Sequence, residues 1–122
     1  MTAGCRARRE ELSFPMLAIG GAGLMNAVGN LAPTPVNRLC EAVAADDLAT
    51  ARRLHYALFT LNRAVFWDTN PIPIKYFMKR LGLLHDNEHR LPTLRPDAAL
   101  CARLDSLLPQ LRPMAEERPP TP

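Results

Sequence analysis

At 122 residues, with 48% hydrophobic and 22% charged side chains, the chain is one globular domain at most and not a disordered polymer. Its formal charge of +3 is spread over scattered basic residues, with only seven aromatic rings to stack on bases, so a nucleic-acid partner is excluded as the first expectation. No apolar run approaches the roughly 18 residues of a membrane span, no signal-peptide core follows the basic N-terminus, and Cys5, Cys40 and Cys101 lack CxxC spacing. Reduced thiols in a cytoplasmic chain with no membrane contact are the expectation.

Residues 1–11 are polar and mixed in charge without a period, and read as a loose extension. LSFPMLAI, residues 12–19, reads as a short helix with Pro15 in its first turn, where a missing N–H costs little. GGAGLMNAVGN, residues 20–30, is a short apolar segment bracketed by glycines and suits a buried strand. Its Gly20, Gly21 and Gly23 fall short of a GxGxxG phosphate loop.

From residue 33 onward the pattern is helical. Val36, Leu39, Cys40 and Val43 keep the 3–4 spacing of one buried face. The next helix opens on Asp46 and Asp47, favourable at a helix start, and carries the stripe Leu54, Leu58, Leu61 and Val65 with Ala51 below. In FWDTNPIPIKYFMKRLGL, residues 66–83, Asn70 reads as an N-cap with Pro71 and Pro73 in the first turn. Ile74, Phe77, Met78 and Leu81 form its apolar face, and Lys79, Arg80 and Gly82 form its end. Residues 83–96 hold no sustained period and two prolines, so they read as a connection. A last helix is expected from about Asp97 to Leu111 through Leu100, Leu104, Leu107, Leu108 and Leu111, with a disordered tail over residues 113–122.

No constellation of these residues makes an active site, and no catalytic residue is assigned. His85 and His89 stand four apart but lie beyond the Gly82 cap and lack the HExxH glutamate, so a solvated loop outweighs a metal site. His55 reads as a boundary residue, and Cys40 as a packed thiol with no histidine near it in sequence. Asp46 and Asp47 cap rather than pair, since adjacent helical residues point apart. Lys75 and Lys79, the only lysines, stand on the polar side of their helix and read as solvated rather than as Schiff-base amines. Neither a cofactor nor a metal is called for.

Three stretches, GGAGLMNAVGNLAP, then RLCEAVAADDLATARRLHYALFTLNRAVFWDTNPIPIKYFMKRLGLL, then EHRLPTLRP, resemble the C-terminal part of the dihydrodipicolinate synthase / N-acetylneuraminate lyase family. The resemblance runs in unbroken order over roughly residues 12–112, and NPIPIK ahead of a helix ending in LGL is its most specific element. It implies a (β/α)8 TIM barrel with appended helices, usually tetrameric, that forms a Schiff base between a lysine and pyruvate or a related 2-oxo acid. On that basis the chain is mostly α: residues 12–45 are the barrel's last strand and helix, 46–112 the appended helical region, and 1–11 a non-homologous flexible extension.

The resemblance carries over one site residue. Met25 matches the last-strand position whose backbone lines the pyruvate site, here in the run Gly23, Leu24, Met25, Asn26 where the family has Gly-Val-Ile-Ser. The family's lysine, relay tyrosine and threonine pair lie on earlier strands, and ARREE at residues 7–11 stands where a Gly-Asp pair is usual. The implied function is a C-terminal fragment of a Schiff-base lyase or aldolase, inactive alone, self-associating or completed by an N-terminal partner chain. The alternative is a non-catalytic helical interaction module derived from the same fold.

Overall fold

The computed structural model describes residues 6–7 and 9–117 of the chain. Two short strands, β1 (Arg6–Ala7) and β2 (Gly23–Leu24), flank a 3-10 turn at Glu10–Leu12 and helix α1 (Ser13–Ala18). A second 3-10 turn, Val28–Asn30, leads into α2 (Pro33–Ala44), α3 (Leu48–Ala64), α4 (Ile72–Arg80), α5 (Ala98–Asp105) and α6 (Leu108–Glu116). The mostly helical expectation holds.

The strand end differs from the sequence reading. Gly23–Leu24 is a strand, but it is half-buried and two residues long. Beyond it Asn26 Oδ1 accepts from Gly29 N at 2.9 Å, a local side-chain bond that turns the backbone away from a ladder. Nor is the strand alone, because β1 pairs with it in parallel, Arg6 opposite Gly23 and Ala7 opposite Leu24. The loose segment expected over residues 1–11 therefore carries a strand and a 3-10 turn, and Glu10 within it is buried. Its residues 1–5 and 8, Cys5 among them, lie outside the described residues.

Helix ends follow local chemistry. Asp46 adopts φ 59°, and the Asp46 and Asp47 amides return to Val43 O and Ala42 O at 3.0 and 2.8 Å, closing α2 in a Schellman motif. Asp47 alone caps α3, accepting from Thr50 N at 3.0 Å, and hydrogen bonding from the Thr50 side chain and then its amide holds the carboxyl below the usual range. The two aspartates thus cap two different helices. In α4 the N-cap is Pro71, joined to Asn70 by a cis peptide bond, and Asn70 provides no cap; Pro73 does sit in the first turn. At the other end Gly82 (φ 74°) and Leu83 donate to Lys79 O and Met78 O at 2.9 and 2.8 Å, as the glycine signal indicated. The last expected helix is two: α5 opens on Asp97, which accepts from Leu100 N at 2.7 Å, and α6 restarts with Pro109 in its first turn and runs through Pro113. Residues 113–116 are therefore helical, Glu117 follows as the C-cap, and the rest of the expected tail, 118–122, lies outside the described residues.

The apolar faces close into two clusters. The larger joins Leu58 and Leu61 of α3, Phe77 of α4, Leu104 of α5 and Leu111 of α6 with Val28, Leu31 and Val65, all at most 1% exposed. The smaller joins Leu17, Leu39, Ala42 and Ala51 where α1, α2 and α3 meet.

Candidate functional site

Because β1 and β2 are parallel, their carboxyl ends lie at the same end of the sheet, the end at which barrels of parallel strands carry their ligands. Met25 is the first residue past β2 and is 63% exposed. Three residues past β1, the chain turns at Glu10, whose side chain crosses to the segment after Met25. Its two carboxylate oxygens accept from the backbone amides of Ala27 and Val28, the latter at 3.1 Å. Glu10 is only 3% exposed, and desolvation holds its carboxyl above the ordinary value against the opposing pull of those two amides. Ser13 Oγ donates to Glu10 O at 2.7 Å, and Asn26 Nδ2 reaches Ser13 Oγ at 3.5 Å. A buried polar knot therefore fixes the backbone that follows Met25.

The resemblance singled out Met25, and the sequence reading gave no role to Glu10 or Ser13. The signal was a doubled glutamate in ARREE followed by serine three residues after Glu10, which matches no motif and looks like solvated charge.

The other candidates lie elsewhere and do not meet. His85 is exposed, while His89 Nε2 lies 2.8 Å from Asn87 Oδ1; burial, reinforced by Lys75 and Arg95, holds its pKa below the usual histidine value. Lys75 and Lys79 are tied down rather than free in solvent: Lys75 Nζ donates to Glu88 O at 2.6 Å and Lys79 Nζ lies 3.5 Å from Asp86. Both amines pin the 83–96 connection onto α4. His55 is 7% exposed between the rings of Phe14, Tyr56 and Phe59, and desolvation lowers its pKa. Cys40 is half-buried with its thiol pushed up by desolvation and by Glu41, the opposite of an activated nucleophile. Among the described residues no group of three His, Cys, Asp or Glu side chains converges as a metal cluster, and no helix is long and apolar enough to cross a membrane.

The family model of the dihydrodipicolinate synthetase family matches residues 3–110. The chain belongs to the dihydrodipicolinate synthetase family. The match begins well inside the extension expected over residues 1–11, in keeping with the pairing of Arg6–Ala7 to β2. The 4-hydroxy-tetrahydrodipicolinate synthase of Nitratidesulfovibrio vulgaris is 42% identical over 95 residues, 78% of this chain and 32% of that protein. The same enzyme of Thermus thermophilus is 45% identical over 83 residues, 68% of this chain and 27% of that protein. Among solved structures, dihydrodipicolinate synthase of Aquifex aeolicus superposes with a TM-score of 0.80 at 32% identity, covering 84% of this chain and 35% of that one. That of Thermotoga maritima gives 0.80 at 31% identity, covering 85% and 35%. The chain thus spans about a third of the length of the relatives it matches.

Proposed function

We propose that this chain supplies the closing strand and the appended helices of a Schiff-base lyase acting on pyruvate or a related 2-oxo acid, and is inactive without the remaining strands. The observation that carries the reading is the clamp of Glu10 on Ala27 and Val28, which holds the backbone just past Met25 at the carboxyl end of two parallel strands. In such a site the Met25 backbone lines the 2-oxo acid while the reactive lysine comes from another strand. Lys75 and Lys79 are poor candidates for that amine, since each is engaged with the 83–96 connection. The exposed Leu12, Ile19 and Met25 are the contacts that neighbouring barrel strands and helices would cover, so without them self-association is expected.

Reductive trapping tests this. The chain treated with pyruvate and borohydride should show no adduct by intact mass. Mixed with the preceding two-thirds of the Thermus thermophilus relative, it should restore trapping, with the adduct on the added segment. An adduct on Lys75 or Lys79 contradicts the proposal. A helical interaction module instead predicts cooperative unfolding of the lone chain and no trapping in any mixture.

A further inference from the structure

Helix α1 meets α3 through an aromatic contact built around a histidine. The Phe14 ring lies 5.6 Å from the His55 imidazole, and on α3 itself Tyr56 and Phe59 stand 5.2 and 5.5 Å from it. Nδ1 of His55 is buried without a hydrogen-bond partner among the described residues. A neutral imidazole tolerates this, because it can leave Nδ1 unprotonated. An imidazolium carries an N–H on both nitrogens and would bury one of them unpaired. Nor does a counter-charge stand by. Helix α1, SFPMLA, carries no charge. The charged groups of the adjoining 3-10 turn and of α2 are engaged elsewhere: Glu10 with the Ala27 and Val28 amides, Glu11 with Arg9, Arg38 with Glu117, and Glu41 with Asn37. Cys40 on α2 is held in its neutral thiol form. On α3 the charges are Arg52, Arg53 and Arg63, all of the sign that repels a proton.

We propose that His55 is an acid-sensitive latch: protonation of its imidazole releases α1 from α3 and, through Ser13, loosens the Glu10 clamp on the backbone after Met25, while the larger core stays closed. Helix α1 is the element that gives way. It is six residues long and buries only Ser13 and Leu17. Ser13 Oγ donates to Glu10 O, so displacement of α1 is felt at the clamp. The direction follows from linkage. Released α1 exposes the ring to water, where it takes a proton near its ordinary value of 6.5; in the closed state desolvation resists that proton. Opening is therefore favoured as the pH falls below 6.5, by up to about tenfold at pH 5.5. Glu10, its own pKa raised from 4.5 by burial, is the one other group that titrates the clamp on the acid side.

Amide hydrogen exchange of the full chain at pH 7.5 and 5.5, corrected for the intrinsic pH dependence of exchange, tests the latch. The reporters are the amides of Ile19, Gly20 and Gly21, bonded to Pro15 O, Leu17 O and Met16 O at the end of α1, and those of Ala27 and Val28 in the clamp. Their protection should fall about three- to tenfold at pH 5.5, while Leu61 and Phe77 in the larger core keep theirs. His55→Phe, which keeps an aromatic ring, and His55→Gln, which keeps a polar group, each remove the proton and should each abolish the fall; one of the two suffices if the other misfolds. His89→Gln should leave the fall intact. A fall of less than threefold, an equal fall at Leu61 and Phe77, or a fall retained in a folded His55 variant would overturn the latch, the last assigning the response to Glu10. Neither a 2-oxo acid nor an added segment enters the measurement, so its failure is distinguishable from failure of reductive trapping.

Discussion

Phe77 and Ile19 are both large apolar side chains, yet one is fully buried and the other 80% exposed. The contrast extends to their surroundings. Around Phe77, four helices and the Val28–Leu31 segment close on one another and bury the larger core. Around Ile19, Leu12 and Met25, a six-residue helix and a two-residue strand present apolar groups to solvent, with Gly23 and Leu24 paired along one edge only among the described residues. The helical region closes on its own contacts; the strand end, on the function proposed above, is a surface that further strands would cover. A strand edge and an apolar patch side by side are what a protein surface ordinarily avoids, and the proposed completion by further barrel strands would cover both.

The largest expected effect lies in the helical region. Phe77→Ala should cost about 3–5 kcal/mol in urea unfolding and Leu104→Ala about 2–5, because each leaves a cavity in a closed core. Ile19→Ala should change stability by less than about 0.5 kcal/mol. Comparable losses at Ile19 and Phe77 would break the comparison. The join between the regions ranks next. Glu10→Gln keeps one acceptor oxygen and strands one of the two amides of Ala27 and Val28, at a cost of about 1–3 kcal/mol, with resonance shifts centred on residues 26–29.

Two smaller effects sharpen the picture within the helices. Asn62 is fully buried on α3 with both amide atoms unpaired, so Asn62→Leu should raise stability by about 1 kcal/mol, read as a higher urea midpoint. His55, whose pKa is lowered from 6.5 by desolvation, is held neutral in the fold. Below that value the unfolded chain takes up a proton that folded His55 resists, so stability present at neutral pH is lost as the pH falls through the folded pKa. His89 adds the same sign, and Glu10, with its pKa raised from 4.5, adds the opposite sign at more acid pH. Unfolding of His55→Phe should depend less on pH than that of the parent chain between about pH 6.5 and 5.

The sequence made the helices legible because each announces itself locally. The Leu58–Leu61–Val65 stripe, the Asp47 cap and the Gly82 cap are read from neighbours along the chain, and each stands where expected. The break between α5 and α6 was hidden by leucines that keep their period across it, although Pro109 marked the restart. The strand end was least legible. Arg6–Ala7 has no apolar pattern of its own, and its pairing partner lies 17 residues away. Glu10 looked like surface charge because its amide partners, at separations of 17 and 18 residues, leave no trace in local composition. Met25 was singled out only through resemblance.

The most direct test of the division is amide hydrogen exchange, residue by residue, on the chain alone and after addition of the preceding two-thirds of the Thermus thermophilus relative. The account predicts slow exchange at Leu61 and Phe77 in both samples, and exchange at Gly23 and Leu24 that is fast alone and slow in the mixture. Gly23 and Leu24 amides as protected as Leu61 in the lone chain, or unchanged by the added segment, would contradict it.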